Sequence, residues 1–125
     1  MTNMIRAGFI LAAIGSLSGI GTGGPALSAS PGDASAGKGL FSSLCARCHG
    51  ADGKGEGYTK FTPPVADLTD PAIQRQLDAT LFKRIHDGKA GTAMGAWKMA
   101  LTEEQIADVV AYVRLLGGNR ESGKP

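Results

Sequence analysis

The chain places both of its cysteines in one six-residue stretch, "CARCHG", with His49 directly after the second. Two thiols three positions apart, with an imidazole beside them, either bond to each other or hold something. The surrounding composition makes the choice matter. After Ser28 the sequence has few large apolar side chains, and the whole chain of 125 residues carries 19 glycines. A small domain with so thin a core usually needs a disulfide, a metal or a cofactor to close it.

The first 29 residues read as a removable leader. Arg6 is the only charged residue among them, and Ala7 to Ile20 is an uncharged, mostly apolar run. A membrane-spanning helix needs about 20 apolar residues, so this run is short for one. Leu27-Ser28-Ala29 approximates a small-x-Ala cleavage site, with cleavage after Ser28 as the other option and an uncleaved signal anchor as the competing reading. Export leads to an oxidising compartment, here expected to be the bacterial periplasm. Losing Arg6 takes the formal charge from +2 to +1, because no acidic residue precedes Asp33. That balance points to neither nucleic-acid binding nor adsorption on a membrane surface. One domain is expected over residues 30–125, with its helical core at about 34–118 and no transmembrane segment once the leader is cut.

Along that domain the apolar periodicity is helical throughout, and no segment alternates as a strand does. Asp33 can cap a helix carrying Leu40, Phe41, Leu44 and Cys45, which runs into the cysteine stretch. Gly50 to Gly57 holds four glycines and reads as loop. Pro63-Pro64 keeps the chain extended. Asp70-Pro71 opens a short helix to about Leu77, and Asp78 can cap another with Leu81, Phe82 and Ile85 on one face, stopped by Gly88. Residues 88–99 return to loop. Thr102-Glu103-Glu104-Gln105 is a capping box, and the helix after it carries Ile106, Val109, Val110, Val113 and Leu116 as a stripe, ending at Gly117-Gly118. The class is all-α, with four to five short helices and long loops.

Three chemistries can use the cysteine stretch. A redox dithiol sits at the start of a helix in a βαβ unit, whereas this pair follows a helix and no strand is visible. A structural zinc site needs four Cys or His ligands, which here means Cys45, Cys48, His49 and His86, two of them adjacent. A plain disulfide leaves His49 without a role. C-x-x-C-H is also the attachment pattern of covalent haem: two thioether bonds fix one porphyrin edge, and the next residue projects over the ring. The leader, the helical class and the thin core all agree with that third chemistry.

The chain resembles the class I (monohaem) c-type cytochromes across nearly all of residues 30–125. The resemblance is carried by "GKGLFSSLCARCHGADGKGEG", "PPVADLTDP", "LFKRIHDGKAGTAMGAW" and "LTEEQIADVVAYVRLL". It implies a small cytochrome c fold around one covalent haem c, attached through Cys45 and Cys48, with His49 on the iron. It implies that the first helix crosses the last at Gly37 and Phe41, against Val109 and Tyr112. It also implies a thioether as the sixth ligand, which raises the reduction potential. Met94 is the favoured donor, because "GTAM" stands seven residues before Leu101; Met99 and His86 are the alternatives. The family usually has proline after this methionine, and Gly95 there predicts a more labile sulfur–iron bond.

By the same resemblance, a proline carbonyl fixes the axial imidazole, with Pro64 favoured over Pro63. Leu68, Phe82, Ile85 and Trp97 are expected to line the haem pocket. Arg84, Tyr58 and Trp97 carry donors for a propionate. Lys54, Lys60, Lys89 and Lys98 fall in loops expected to rim the haem edge. The function implied is that of a one-electron carrier without catalytic residues, working between a redox protein donor and acceptor, as a monomer or as a subunit of a respiratory complex. The alternatives are a haem-bearing subunit of a dehydrogenase or oxidase, and a ligand-binding or peroxidatic haem protein.

Overall fold

The computed structural model describes residues 31–118, so the leader expected at 1–29 lies outside the described residues. The first helical path has three parts: α1 (Ala34–Leu40), a π turn (Phe41–Cys45) and α2 (Ala46–His49). Asp33 caps α1 as expected, its Oδ1 accepting from the Ser35 and Ala36 amides at 2.7 and 3.4 Å. The π turn is a departure from the single regular helix expected. In it the Ala46 amide reaches back to the Phe41 carbonyl. One extra residue in a turn rotates everything downstream by about 100°. Gly37 and Phe41 can therefore face the last helix while the cysteine stretch turns elsewhere.

Three helices follow: α3 (Pro71–Gln74), α4 (Asp78–Asp87) and α5 (Glu103–Gly118). Asp70 caps α3, accepting from the Ala72 amide at 2.7 Å with Pro71 in the first turn. The helix is shorter than expected and ends at Gln74. Leu77, not Asp78, is the cap residue of α4, and no side chain bonds the free amides there. The Asp78 carboxylate is instead taken by Arg114 of α5, whose Nε donates to it at 2.8 Å. The capping box of α5 forms in both directions: the Gln105 amide donates to Thr102 Oγ1 at 3.2 Å, and the Thr102 amide to Gln105 Oε1 at 2.9 Å. Gly117 and Gly118, expected to stop α5, are its last residues. Among the described residues there is no strand, and no helix is long and apolar enough to cross a membrane.

The core is small. Phe41, Leu81, Val109, Val110, Val113 and Leu116 form its buried cluster, most of it from α5. α1 lies across α5 at its centre, where the Phe41 and Tyr112 rings meet at 5.3 Å between centroids, tilted by 58°. A Cβ on Gly37 would stand 1.9 Å from the Asp108 carbonyl oxygen. Only glycine allows that approach. A second tie at this end is the Asp33 amide, which donates to Asp108 Oδ1 at 2.7 Å. On the far side, Gln74 is half-buried and its Nε2 donates to the carbonyls of Leu68 and Val113 at 2.7 and 3.0 Å. This bond fixes α3 and the segment before it on α5.

Two glycines two residues apart in α1 should answer oppositely to the same change. Gly39→Ala meets no atom within 4 Å and should stabilise the haem-loaded chain by up to about 1 kcal/mol through helix propensity. Gly37→Ala forces a backbone apart and should destabilise it by about 1–3 kcal/mol. Urea unfolding of the two variants measures both.

Candidate haem site

Cys45 closes the π turn, and Cys48 and His49 end α2. Three positions apart on a helical path, the two cysteines share a face. Both are half-buried free thiols. Burial, and next the neighbouring Cys48, push the Cys45 thiol up to about 11, so it is protonated at neutral pH.

The glycine loop holds the end of this stretch from outside. The amides of Gly55, Gly57 and Tyr58 donate to the carbonyls of His49, Cys48 and Arg47 at 2.8, 3.1 and 2.9 Å. These are carbonyls that a helix end leaves without partners. The backbones approach so closely that a Cβ on Gly57 would lie 2.3 Å from the Arg47 oxygen. The run of glycines is thus more than a flexible connector: it lets one backbone clamp another.

His49 is aimed by the segment that follows. Its Nδ1 donates to the Ala66 carbonyl at 3.2 Å, which leaves Nε2 with its lone pair. Burial lowers the pKa of His49, with the Ala66 bond acting in the opposite sense, so the neutral ring is favoured. The carbonyl expected for this role was that of Pro64, and the structure corrects it to Ala66. Along extended chain, carbonyls two residues apart point the same way. The orientation was therefore legible, but the register along it was not. It is pinned from elsewhere, by the Leu68 amide donating to the Gly53 carbonyl at 2.7 Å. Pro64 itself is exposed and lines a shallow cleft with Lys54, Thr59 and Lys60.

The other expected donor lies in the loop between α4 and α5. Met94 is half-buried in it, whereas Met99 is 90% exposed. The Met94 carbonyl accepts from the Lys89 amide at 2.9 Å, and the Trp97 and Lys98 amides donate to the carbonyls of Ile85 and His86 at 3.1 and 3.2 Å. The loop thereby caps the C-terminus of α4. His86 is engaged elsewhere, stacked on Phe82 and bonded through Nδ1 to Asp87 Oδ1 at 2.7 Å. Of the expected pocket residues, Leu68, Phe82 and Ile85 pack against the core beside Cys45 and remain half-buried. Trp97 is half-buried near Ile85. Tyr58 is 97% exposed. Sequence reasoning missed Ala66, which carries no side-chain signal, and Asp87, whose spacing to Lys83 was visible but whose contact with Lys98 was not.

The donor chemistry fits covalent haem. Two free thiols share a helical face, one imidazole is oriented through Nδ1, and one thioether is half-buried. It does not fit zinc, since no group of three His, Cys, Asp or Glu among the described residues converges to hold a metal ion. Residues 32–113 match the family described as cytochrome c oxidase, cbb3-type, subunit III. The chain belongs to this cytochrome c family. It is 34% identical over 92 residues to cytochrome c-554(547) of Halothiobacillus neapolitanus, covering 68% of this chain and 98% of that protein. It is 42% identical over 82 residues to cytochrome c6 of Rippkaea orientalis, covering 66% and 69%. It is 36% identical over 91 residues to the cbb3-type cytochrome c oxidase subunit FixP of Bradyrhizobium, covering 70% of this chain and only 29% of that subunit. A solved structure titled KustC0563 c-type cytochrome superposes with a TM-score of 0.54 at 27% identity, over 64% of this chain and 95% of that one.

As a member of this family the cytochrome carries haem c, covalently bound. Cys45, Cys48 and His49 form a C-x-x-C-H pattern, the kind that carries such an attachment. Chain made alongside haem-attachment machinery should keep its haem through denaturing gels and acid–organic extraction. Replacing both cysteines with serine should release all of it into the organic phase, as read by the haem absorbance of the two phases.

Proposed function

We propose that this cytochrome is an exported one-electron carrier of the bacterial periplasm, with His49 and Met94 as the axial ligands of its haem iron. The observation that carries the reading is the pair of half-buried donors on segments held by hydrogen bonds. His49 is oriented through Ala66, and Met94 is half-buried in a loop tied back to α4. Haem, when bound, supplies reversible one-electron exchange between ferrous and ferric iron. The chain's own residues do the rest. The cysteine thiols become thioethers and hold one edge of the ring. His49, neutral because its environment lowers its pKa, presents Nε2. Met94 presents soft sulfur, which favours the reduced metal. Pro64, Leu68, Phe82 and Trp97 are proposed to lie against the ring. With His49 and Met94 both holding the iron there would be no place for a substrate, so the proposed role is transfer without catalysis.

The residues before 30 are proposed as the export leader and 30–125 as the cytochrome domain. A redox protein donor and acceptor are the proposed partners. The side chains of Lys54, Lys60 and Lys89 are exposed and carry no ion pair among the described residues, and they would attract an acidic docking face. The match to nearly the whole length of cytochrome c-554(547) supports a free carrier. The second reading, a haem domain of an oxidase, is supported by FixP and by CcoP of Azospirillum brasilense, of which the chain spans under a third.

The test compares Met94→Ala with Met99→Ala in the haem-loaded protein. Met94→Ala should remove the weak far-red band of sulfur on ferric iron and lower the potential. It should also speed carbon monoxide binding to ferrous iron at least about tenfold, equivalent to about 1.4 kcal/mol of barrier. Met99→Ala should leave all three unchanged. Rapid stoichiometric carbon monoxide binding by the unaltered protein would instead favour a ligand-binding or peroxidatic role.

A further inference from the structure

The loop that carries Met94 buries few side chains, although its Met94–Ala96 backbone lies close on Gly88. Gly91 and Gly95 have no atom within 4 Å of a built Cβ, and Ala90, Ala93 and Ala96 are exposed. Beyond that approach, its position comes from a backbone bond within the loop at its entry and two to α4 at its exit. At the entry the Lys89 amide meets the Met94 carbonyl, and at the exit the Trp97 and Lys98 amides meet the last free carbonyls of α4. One side chain reinforces the exit. Asp87, the last residue of α4, is bonded to Lys83 at 2.7 Å, to His86 at 2.7 Å and to Lys98 at 3.4 Å. A carboxylate at this end of a helix is opposed by the helix dipole. Its three hydrogen-bonding neighbours offset that, and together they hold its carboxyl far below the ordinary carboxylate range, Lys83 first. Two of them belong to α4 itself. Lys98 does not: it lies four residues past Met94, so its contact with Asp87 closes a ring of chain that contains the methionine.

We infer that Asp87 is a positioning residue for Met94: by holding Lys98 it keeps the exit of the methionine loop on α4. The consequence for ligation rests on the reading of Met94 as axial ligand, while the effect on the loop does not. Lys83 serves as the internal contrast, because it bonds the same carboxylate without touching the loop. The pair is exposed at 47% and 35% of the two side chains, so a gain of only about two- to fivefold in loop opening is expected from its loss.

The experiment uses the haem-loaded chain and two readouts: hydrogen exchange of the Trp97 and Lys98 amides, and the rate of carbon monoxide binding to ferrous iron. Asp87→Asn and Lys98→Gln should each speed both by about threefold. The double variant should add nothing beyond either single one, because both remove one contact. Asp87→Glu should restore part of the effect, and Lys83→Gln should change neither readout. Unchanged exchange in both Asp87→Asn and Lys98→Gln overturns the inference. So does an equal acceleration in Lys83→Gln, which would place the effect in the end of α4 rather than in the loop. Met94→Ala is measured alongside. If it leaves the far-red band intact, the ligand assignment falls, and amide exchange still decides the role of Asp87.

Discussion

Where α1 crosses α5, the Gly37 backbone lies directly on the Asp108 carbonyl, and the Phe41 and Tyr112 rings close the contact one turn further along. The other parts of the fold are placed relative to this crossing. α5 supplies most of the buried apolar cluster, and α3 and α4 are tied to it through Gln74 and Arg114. A core this thin gains little from volume, since apolar burial scales with the area removed from water. It depends instead on a few close backbone approaches and on polar ties that leave no buried side-chain donor or acceptor unpartnered among the described residues.

The same device holds both proposed ligand segments. α2 and α4 are short helices whose last carbonyls need partners. In each case a glycine-bearing loop turns back and supplies them: the residues after Gly50 for α2, and the residues after Gly88 for α4. Capping the helix and placing the donor thus become one event. His49 ends the first helix, and Met94 sits inside the loop that caps the second. Placement by backbone bonds would suit the proposed redox centre, because a rigid ligand frame changes little when the charge of a metal changes by one.

The π turn connects the two requirements. A regular helix from Ala34 to His49 would commit the cysteines to a phase set by Gly37 and Phe41. The wide turn at Phe41–Cys45 lets the crossing with α5 and the presentation of the thiols be satisfied at once. Relatives of different size share this unit: it spans nearly all of cytochrome c-554(547) and under a third of the oxidase subunit FixP.

Much of this was legible from residue order because it is local. Asp33, Asp70 and the Thr102–Gln105 pair announce helix starts through bonds that span two or three residues. "CARCH" carries its chemistry within five positions, and the stripe from Ile106 to Leu116 marks the face of α5 that is buried. What the tertiary structure alone decided is non-local. Arg114, 36 residues away, takes the Asp78 carboxylate, so that Asp78 does not cap its helix. The carbonyl that orients His49 belongs to Ala66, because the register of an extended segment is set by what it bonds to and not by its own composition. Lys98 meets Asp87 only once the loop between them has closed. Short-range hydrogen bonds are written in the spacing of residues, whereas register and long-range pairing come from how packed elements bring distant backbones together.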